Sequence, residues 1–460
     1  MNDGLIIIFE HSSSIVFCFP LESKLKPTAW ITISKTQRRP IVLIDITMAN
    51  FRSIRDPQTV SFAALKDKRM DQSKVQIVSE KLKVLRTAAV IGPNGVGKST
   101  VVRALEAVKG VIIADASEEN PLKRVLAGSL FAYNDVKNQP AEFTVRFLLR
   151  DYVSEDEPEV FATYTLKADL DHIWEEKLYY NFGTSRKLMF DRVATASLDD
   201  EITYKVRWGK LYRGDKKRNE KAVDCRHSFI RNAAEKGGET CSEIYRWFTE
   251  VLDILPMGVG SSSERYIAAM LNAHPAWKDQ LINFFWSMDV TDIRDIRVGF
   301  SKDGKFVQSN EGDMVVFIHT NKSATMTCLY AKESLSMKRL SLLALAFFEA
   351  FTKAKVLIVD DYGMFLHPEV LIYLTSVFTS GCRRASQLVV ADCNPTLLED
   401  GLLRRDSIYF AEKDSVGSTV YYPLSDFRIG ANGKIRAMYE SGAFGALPIT
   451  SEFRFVNEEA

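Results

Sequence analysis

In KVLIVDDYGMFLHPE, residues 355–369, a run of apolar residues leads into two adjacent aspartates. A continuous apolar run predicts a strand buried on both faces. Its acidic end predicts carboxylates delivered to a sheet edge, where they must hold a cation or a proton. Upstream, AAVIGPNGVGKSTVVRALEAV (88–108) places an apolar strand before a glycine-rich turn and an amphipathic helix after it. A further apolar helix is expected over 337–354, and beyond the acidic strand the pattern predicts helix and strands, then a Gly-rich tail, GANGKIRAMYESGAFGALP. Between the halves, residues 216–330 break this α/β rhythm. KKRNEKAVDCRHSFIRNAAEKGG is basic and helical, while CSEIYRWFTEVLDIL and AWKDQLINFFWSMDV space large apolar residues at helical intervals. A mainly helical insertion with short coiled or bundled segments is expected there, its Trp and Phe in a core and the basic run 216–221 a solvated helix end.

Composition narrows the class. The chain has 460 residues, 46% hydrophobic and 26% charged, enough for two or three domains' worth of core without covalent staples. A formal net charge of +1 supplies no global field toward nucleic acid or membrane. Six cysteines (Cys18, Cys225, Cys241, Cys328, Cys382, Cys393) show neither C-x-x-C spacing nor a histidine tract, which points to a reducing cytoplasm and away from a disulfide framework. GLIIIFE and SIVFCF near the N-terminus are broken by EHSSS, and no lysine or arginine precedes them. They predict edge strands rather than a membrane span or a signal peptide.

The decisive motif is G-x-x-x-x-G-K-S in strand-turn-helix context, with Gly92, Pro93, Asn94, Gly95, Val96, Gly97, Lys98, Ser99 and Thr100 as the nucleotide-binding set. The glycines let backbone N–H groups close around phosphate oxygens, and Lys98 reaches the outer phosphates. The Ser99 hydroxyl ligates magnesium at the positive end of a helix. With such a loop upstream, VLIVDD reads as the acidic strand of an ATPase: Asp360 holds magnesium through water, and Asp361 occupies the place of the residue that orients the attacking water. A receiver domain also ends a strand in paired acids, but only about a hundred residues follow, and they are patterned otherwise.

MANFRSIRDPQTVSF, GPNGVGKST, ESLSMKRLSLLAL, VLIVDDYGMFLHPE, VVADCNPTLL and RRDSIYFAEKDSVGSTVYYPLSDF occur in an order that resembles ABC-like AAA family ATPases of bacterial phage-defence and abortive-infection systems, most of all the ATPase subunit of PARIS systems. The resemblance spans residues 43–447. It implies an α/β P-loop NTPase fold of ABC/SMC-head type with a helical insertion: a 1–42 extension, a 43–215 lobe carrying the phosphate loop, the 216–330 insertion, and a 331–460 lobe with signature and acidic strand. It further implies ATP and Mg2+ as cofactors, and a site shared between two copies in which the signature of one faces the phosphate loop of the other. In ESLSMKRL, Ser334 aligns with the signature serine and Ser336 with its usual glycine; a second register makes Ser336 the signature serine. The expected partners are a second copy of the chain, a separate TOPRIM-type nuclease and a phage-encoded trigger protein, with no membrane and no indicated DNA contact.

Two departures weaken catalysis. Family members usually carry glutamate at 361 and histidine at 393, where this chain has Asp361 and Cys393. A carboxylate withdrawn by about 1 Å can cost ~100-fold in rate, and neutral cysteine cannot donate to phosphate as imidazole does. Slow turnover with retained ATP binding is therefore expected, with Lys98, Asp361 and Cys393 as the catalytic set. Arg52, Gln139 and His367 are lesser candidates, the last expected to position the loop that follows it. The Arg404–Arg405 pair is expected to be solvated. No TOPRIM or HNH pattern is present, so any nuclease chemistry belongs to another chain. An SMC-type DNA-repair or chromosome-maintenance ATPase is the rival reading, one that a long heptad arm would favour.

Overall fold

The computed structural model describes residues 14–15, 33–34 and 42–448, except 68–70, 80–81, 132–138, 150–159, 197–201, 222, 257, 382–385 and 431–432. In the first 41 residues β1 (Ser14–Ile15) pairs antiparallel with β2 (Ile33–Ser34); the rest of the expected 1–42 extension, apart from Val42, lies outside the described residues. Next come β3 (Leu43–Ala49), β4 (Gln58–Ser61), a small ribbon of β5 (Val75–Ile77) and β6 (Lys83–Leu85), and β7 (Thr87–Ile91), which leads into α1 (Thr100–Ile112) and α2 (Pro121–Leu126). Long strands β8 (Ala141–Leu148), β9 (Val160–Ala168), β10 (Ile173–Phe182), β11 (Ser185–Ala196) and β12 (Ile202–Trp208) precede short helices α3 (Lys216–Glu220), α4 (Phe229–Glu235) and α5 (Glu239–Arg246). Strand β13 (Leu252–Ile254), helices α6 (Ser261–Ala273) and α7 (Trp277–Trp286), and strands β14 (Ile293–Lys302), β15 (Lys305–Gln308), β16 (Met314–Thr320) and β17 (Thr325–Leu329) complete the middle. The last lobe holds α8 (Leu335–Lys353), β18 (Val356–Asp360), α9 (Pro368–Gly381), β19 (Gln387–Asp392), β20 (Ile408–Lys413), β21 (Thr419–Pro423) and α10 (Ile435–Glu440).

Two large sheets organise these elements. A seven-stranded antiparallel sheet runs β12-β11-β10-β9-β8-β3-β4, and a six-stranded sheet runs β13-β18-β19-β7-β20-β21, parallel except for its last strand. Successive residues of β7, β18 and β19 enter opposite cores. Ala88, Val90, Val356, Ile358, Val389 and Ala391 pack with α1 and the antiparallel sheet. Ala89, Ile91, Leu357, Val359, Leu388 and Val390 pack with α8 and α9. Apolar groups are therefore required at every position, which is why these strands show runs rather than alternation.

The expectation of a mainly helical 216–330 needs correction. Helices occupy it only to Trp286, and β14–β17 then form a four-stranded antiparallel sheet in the order β15-β14-β16-β17. IRDIRVGF and MVVFIHT carry β-branched residues suited to strands. The helical pattern of CSEIYRWFTEVLDIL also ends early: Leu252–Ile254 joins the core sheet beside β18. Trp247 and Phe248 lie in a core, as expected. Trp247 stacks on Phe147 with centroids 4.0 Å apart, and both side chains are buried against the antiparallel sheet. In the Gly-rich tail, IRAMYE forms α10, where Ile435 and Tyr439 are buried.

Gln387 fastens the two large sheets. Fully buried at the start of β19, its amide donates to the carbonyls of Leu43 and Leu85 at 3.1 Å each and accepts from Leu43 N–H at 2.8 Å. Gln387→Leu would strand three backbone groups away from water, each worth about 1–3 kcal/mol. The expected result is a fall in the urea midpoint equivalent to about 3 kcal/mol or more. An unchanged midpoint would show that the sheets are fastened elsewhere.

Candidate functional site

The register of the parallel sheet assembles the site. Asp360 and Val90 both pair with Ala391, and Ile91 pairs with Asp392. The carboxyl ends of β18, β19 and β7 therefore lie side by side, and the residues that leave them are Asp361, Cys393 and Gly92. This edge of an open parallel sheet is where ligands bind in α/β folds.

From β7 the chain turns through Gly92–Ser99 into α1. A Cβ at Gly92 would lie 2.5 Å from the carbonyl oxygen of Ala411 on β20, and one at Gly97, where φ is +102°, would collide with the hydroxyls of Thr419 and Ser53. Both positions accept glycine alone. The loop is held from behind: Thr419 Oγ1 donates to the Val96 carbonyl at 2.6 Å and Tyr421 Oη to the Gly97 carbonyl at 2.7 Å. Ser53 and Thr100 hydroxyls lie 3.2 Å apart. Pro93 is half-buried, Asn94 and Gly95 are exposed and Val96 is buried. Lys98, only 7% exposed, folds back to donate to the Pro93 carbonyl at 2.8 Å.

Ser99 meets the acidic strand. Its hydroxyl donates to Asp360 Oδ1 at 2.9 Å, across 261 residues of sequence. Asp360 Oδ2 is buried with no hydrogen-bond partner, and Arg103 stands 4.0 Å from it. Burial pushes the Asp360 carboxyl up, and the Ser99 hydrogen bond opposes this. An orphaned anionic oxygen beside a serine hydroxyl fits a hard cation, which takes oxygen ligands. The residues present therefore suit magnesium at Ser99 and Asp360, with phosphates in the glycine loop.

Asp361 begins the turn after β18 at φ +46°, in the left-handed region, which aspartate tolerates better than most residues. Its carbonyl and that of Asp360 accept from Arg339 Nη2 at 2.7 and 2.9 Å. Arg339 is fully buried in the second turn of α8. Asp392 accepts from the backbone N–H of Gly363 and from that of Asn394, the latter at 2.9 Å. Burial pushes its carboxyl up, opposed by these N–H groups. Cys393, next in the chain, is exposed.

The signature serines divide their roles. Ser334 is the N-cap of α8, its Oγ accepting from Met337 N–H at 3.2 Å. Ser336 Oγ donates to the Phe365 carbonyl at 2.7 Å, tying α8 to the loop that follows the acids. Both serines are exposed at the helix start, which lies at 335 rather than 337.

The lesser candidates separate. Arg52 is exposed with φ +52° at the rim of a 590 Å3 cleft that also touches Arg103, Lys109 and Arg124. The Gln139 carbonyl accepts from the Asn50 amide. His367 Nδ1 accepts from Glu369 N–H at 3.2 Å, at the start of α9. The Arg404–Arg405 pair is not solvated as expected. Arg404 is 4% exposed and pairs with Asp406 at 2.7 Å, while Arg405 donates to the Ile429 carbonyl at 3.1 Å. Both hold the chain rather than a ligand.

Sequence reasoning passed over Ser53, Thr419, Tyr421, Arg339 and Asp392. The first three clamp the loop from distant segments and carry no local signal. Arg339 and Asp392 did carry one. An arginine inside MKRLSLLALAFF and a second apolar strand ending in acid, LVVAD, both mark charge carried into a core.

A parallel sheet with a glycine-rich loop on its central strand, an acidic strand two places away and an antiparallel sheet packed behind α1 is the α/β arrangement expected of a P-loop NTPase fold of ABC/SMC-head type. Solved structures similar to this chain include an SMC head domain from Thermotoga maritima, 13% identical over 83% of this chain and 98% of that one, TM-score 0.38. An Smc head domain with a coiled coil and joint from Pyrococcus yayanosii is 11% identical over 87% and 99%, TM-score 0.40. An SmcHead bound to the C-winged helix domain of ScpA is 12% identical over 83% and 97%, TM-score 0.42. No protein-family model matches the chain, and no curated protein matches it.

Proposed function

We propose that this chain is an ATP-binding, slowly hydrolysing ATPase that joins a second copy of itself through nucleotide and serves as sensor and scaffold of an anti-phage defence system, controlling a separate nuclease. The observation that carries the nucleotide reading is the Ser99–Asp360 contact at 2.9 Å beside the unanswered Asp360 Oδ2. Mg2+ there would neutralise charge on the phosphates, and Gly92–Thr100 would seat them. Asp361 would face the attacking water with a side chain one methylene shorter than the usual glutamate, and the thiol of Cys393 contributes no imidazole, so binding outlasts turnover.

Pairing is supported by the face around the signature. Leu335 and Phe365 are 47% and 42% exposed, and the Ser336–Phe365 hydrogen bond sets their segments side by side. Exposed apolar side chains beside exposed serines at a helix N-terminus suit a second copy's nucleotide. The defence role rests on the order of sequence motifs, and with it the TOPRIM-type nuclease and the phage trigger. A long heptad arm would favour the rival SMC-type reading. Among the described residues the longest helix is α8, whose 19 residues are mostly buried in the core. No described helix is long and apolar enough to cross a membrane.

Asp361→Glu restores the usual reach, so steady-state phosphate release should rise by up to about 100-fold while ATP affinity stays close to that of the wild type. The melting temperature should drop slightly, because glutamate tolerates φ +46° less well. A fall in phosphate release would show that the aspartate is already well placed.

Mixing variants tests the shared site. Lys98→Ala should lose nucleotide, and Ser334→Glu and Ser336→Glu should each block pairing while leaving the phosphate loop whole. In a dimer of one Lys98→Ala chain and one signature variant, one site carries both lesions and the other neither, so activity should reappear on mixing. A mixture that co-assembles yet stays inactive would refute action in trans.

A further inference from the structure

His319, Cys328 and Glu333 lie at the hairpin of β16 and β17 and the turn that enters α8, and the catalytic reading uses none of them. One donor atom from each falls within 4.8 Å of the others. His319 pairs with Met326 across the hairpin and Phe317 pairs with Cys328, so His319 and Cys328 sit diagonally on one face. Glu333 directly precedes the α8 N-cap and bonds its own chain there, Oε2 accepting from Ser334 N–H at 2.7 Å. Its other oxygen meets His319 Nε2 at 2.7 Å, while Asp292 Oδ2 meets His319 Nδ1 at 2.8 Å. Glu333 and His319 side chains are only 7% and 16% exposed. Lys338, the nearby cation, is engaged with the Ala331 carbonyl at 3.0 Å.

An imidazole between two carboxylates accounts for the nitrogen and oxygen atoms and leaves the thiol only a weak contact with Glu333. Imidazole, thiolate and carboxylate together are a zinc donor set, and tetrahedral coordination asks for ligand atoms about 3.3–3.6 Å apart, within reach of this cluster after a small closure. A carboxylate on the far ring nitrogen is the usual outer support of a metal-binding histidine, and Asp292 supplies it. We propose that His319 Nε2, Cys328 Sγ and a Glu333 carboxylate oxygen form a binding site for a borderline-soft divalent cation of the Zn2+ type, oriented by Asp292 and with its fourth position open to water. The three ligands come from β16, β17 and the entrance of α8. An ion there cross-links the hairpin to the helix whose first turn carries Ser334 and Ser336. On binding, the Cys328 proton and any proton on His319 Nε2 leave to solvent.

The test uses the full-length chain, stripped of metal and free of nucleotide. Titration with Co2+ alone is followed by thiolate-to-cobalt charge-transfer absorption, with Zn2+ as the displacing ion. A single Co2+ per chain with a thiolate band that Zn2+ abolishes is expected. Cys328→Ser should remove the band, and Cys393→Ser, which alters the exposed thiol at the sheet edge, should leave it. Asp292→Asn should weaken Co2+ binding by about 10- to 100-fold. Should His319→Ala fail to fold, Cys328→Ser still decides, because the Cys328 thiol makes only weak sulfur contacts, to the Leu329 carbonyl at 3.6 Å and to Glu333. A wild-type chain without the band, or a band that survives in Cys328→Ser, overturns the site.

Discussion

A buried carboxylate with no hydrogen-bond donor on one of its oxygens is the constraint on which the rest of this molecule turns. Removing Asp360 from water costs free energy that hydrogen bonds from the Ser99 hydroxyl and the Asp361 N–H, and Arg103 at 4.0 Å, do not recover, and its carboxyl is pushed up. The fold nevertheless fixes it at 5% exposure. It does so by parallel pairing of β18 and β7 with β19 between them, which places the end of one acidic strand level with the mouth of the glycine loop. Two cores, one on each face of the sheet, hold that register, because a slip of one residue would send each side chain into the opposite core, whose close packing it does not match.

Helix α8 joins two functions in one rigid body. Its first turn presents Ser334, Leu335 and Ser336 outward, and one turn later Arg339 grips the carbonyls of Asp360 and Asp361 from within. A buried guanidinium is costly, and burial lowers its proton affinity, opposed first by the charge of Asp392. In return, the position of the acids and that of the outward face are set by a single element. If a second chain or an ion binds at the helix start as proposed, Arg339 gives it a short connection to the acidic turn. The Ser336–Phe365 hydrogen bond closes the same loop from outside.

Much of the central architecture was legible because it is local. The glycine loop, both flanking elements and the acidic strand lie within short windows, where apolar runs and turn residues speak for themselves. The middle of the chain was misjudged where a helical spacing continued into LDI, since three apolar-flanked residues fit either a helix end or a short parallel strand. The hairpins of β14–β17 were overlooked because their large apolar residues stood close to the helical runs and were absorbed into them. The clamp on the loop could not be read at all. Ser53, Thr419 and Tyr421 are ordinary residues in ordinary strands or turns, and only the pairing of β21 with β20, itself beside β7, brings the last two to the loop. Arg404 misled for a related reason: a paired arginine reads as solvated until its carboxylate, two residues on at Asp406, is seen to be buried with it.

The proposed role of Asp360 and Ser99 in holding a magnesium-bound nucleotide is tested most directly by the magnesium dependence of ATP affinity. Calorimetric titration of the full chain with ATP, with and without Mg2+, should show tighter binding with the ion. In Asp360→Asn, which keeps an oxygen for Ser99 but loses the charge, most of that gain should vanish while binding without Mg2+ is little changed. Binding by the wild type that is indifferent to Mg2+, or an undiminished Mg2+ effect in Asp360→Asn, would contradict the account.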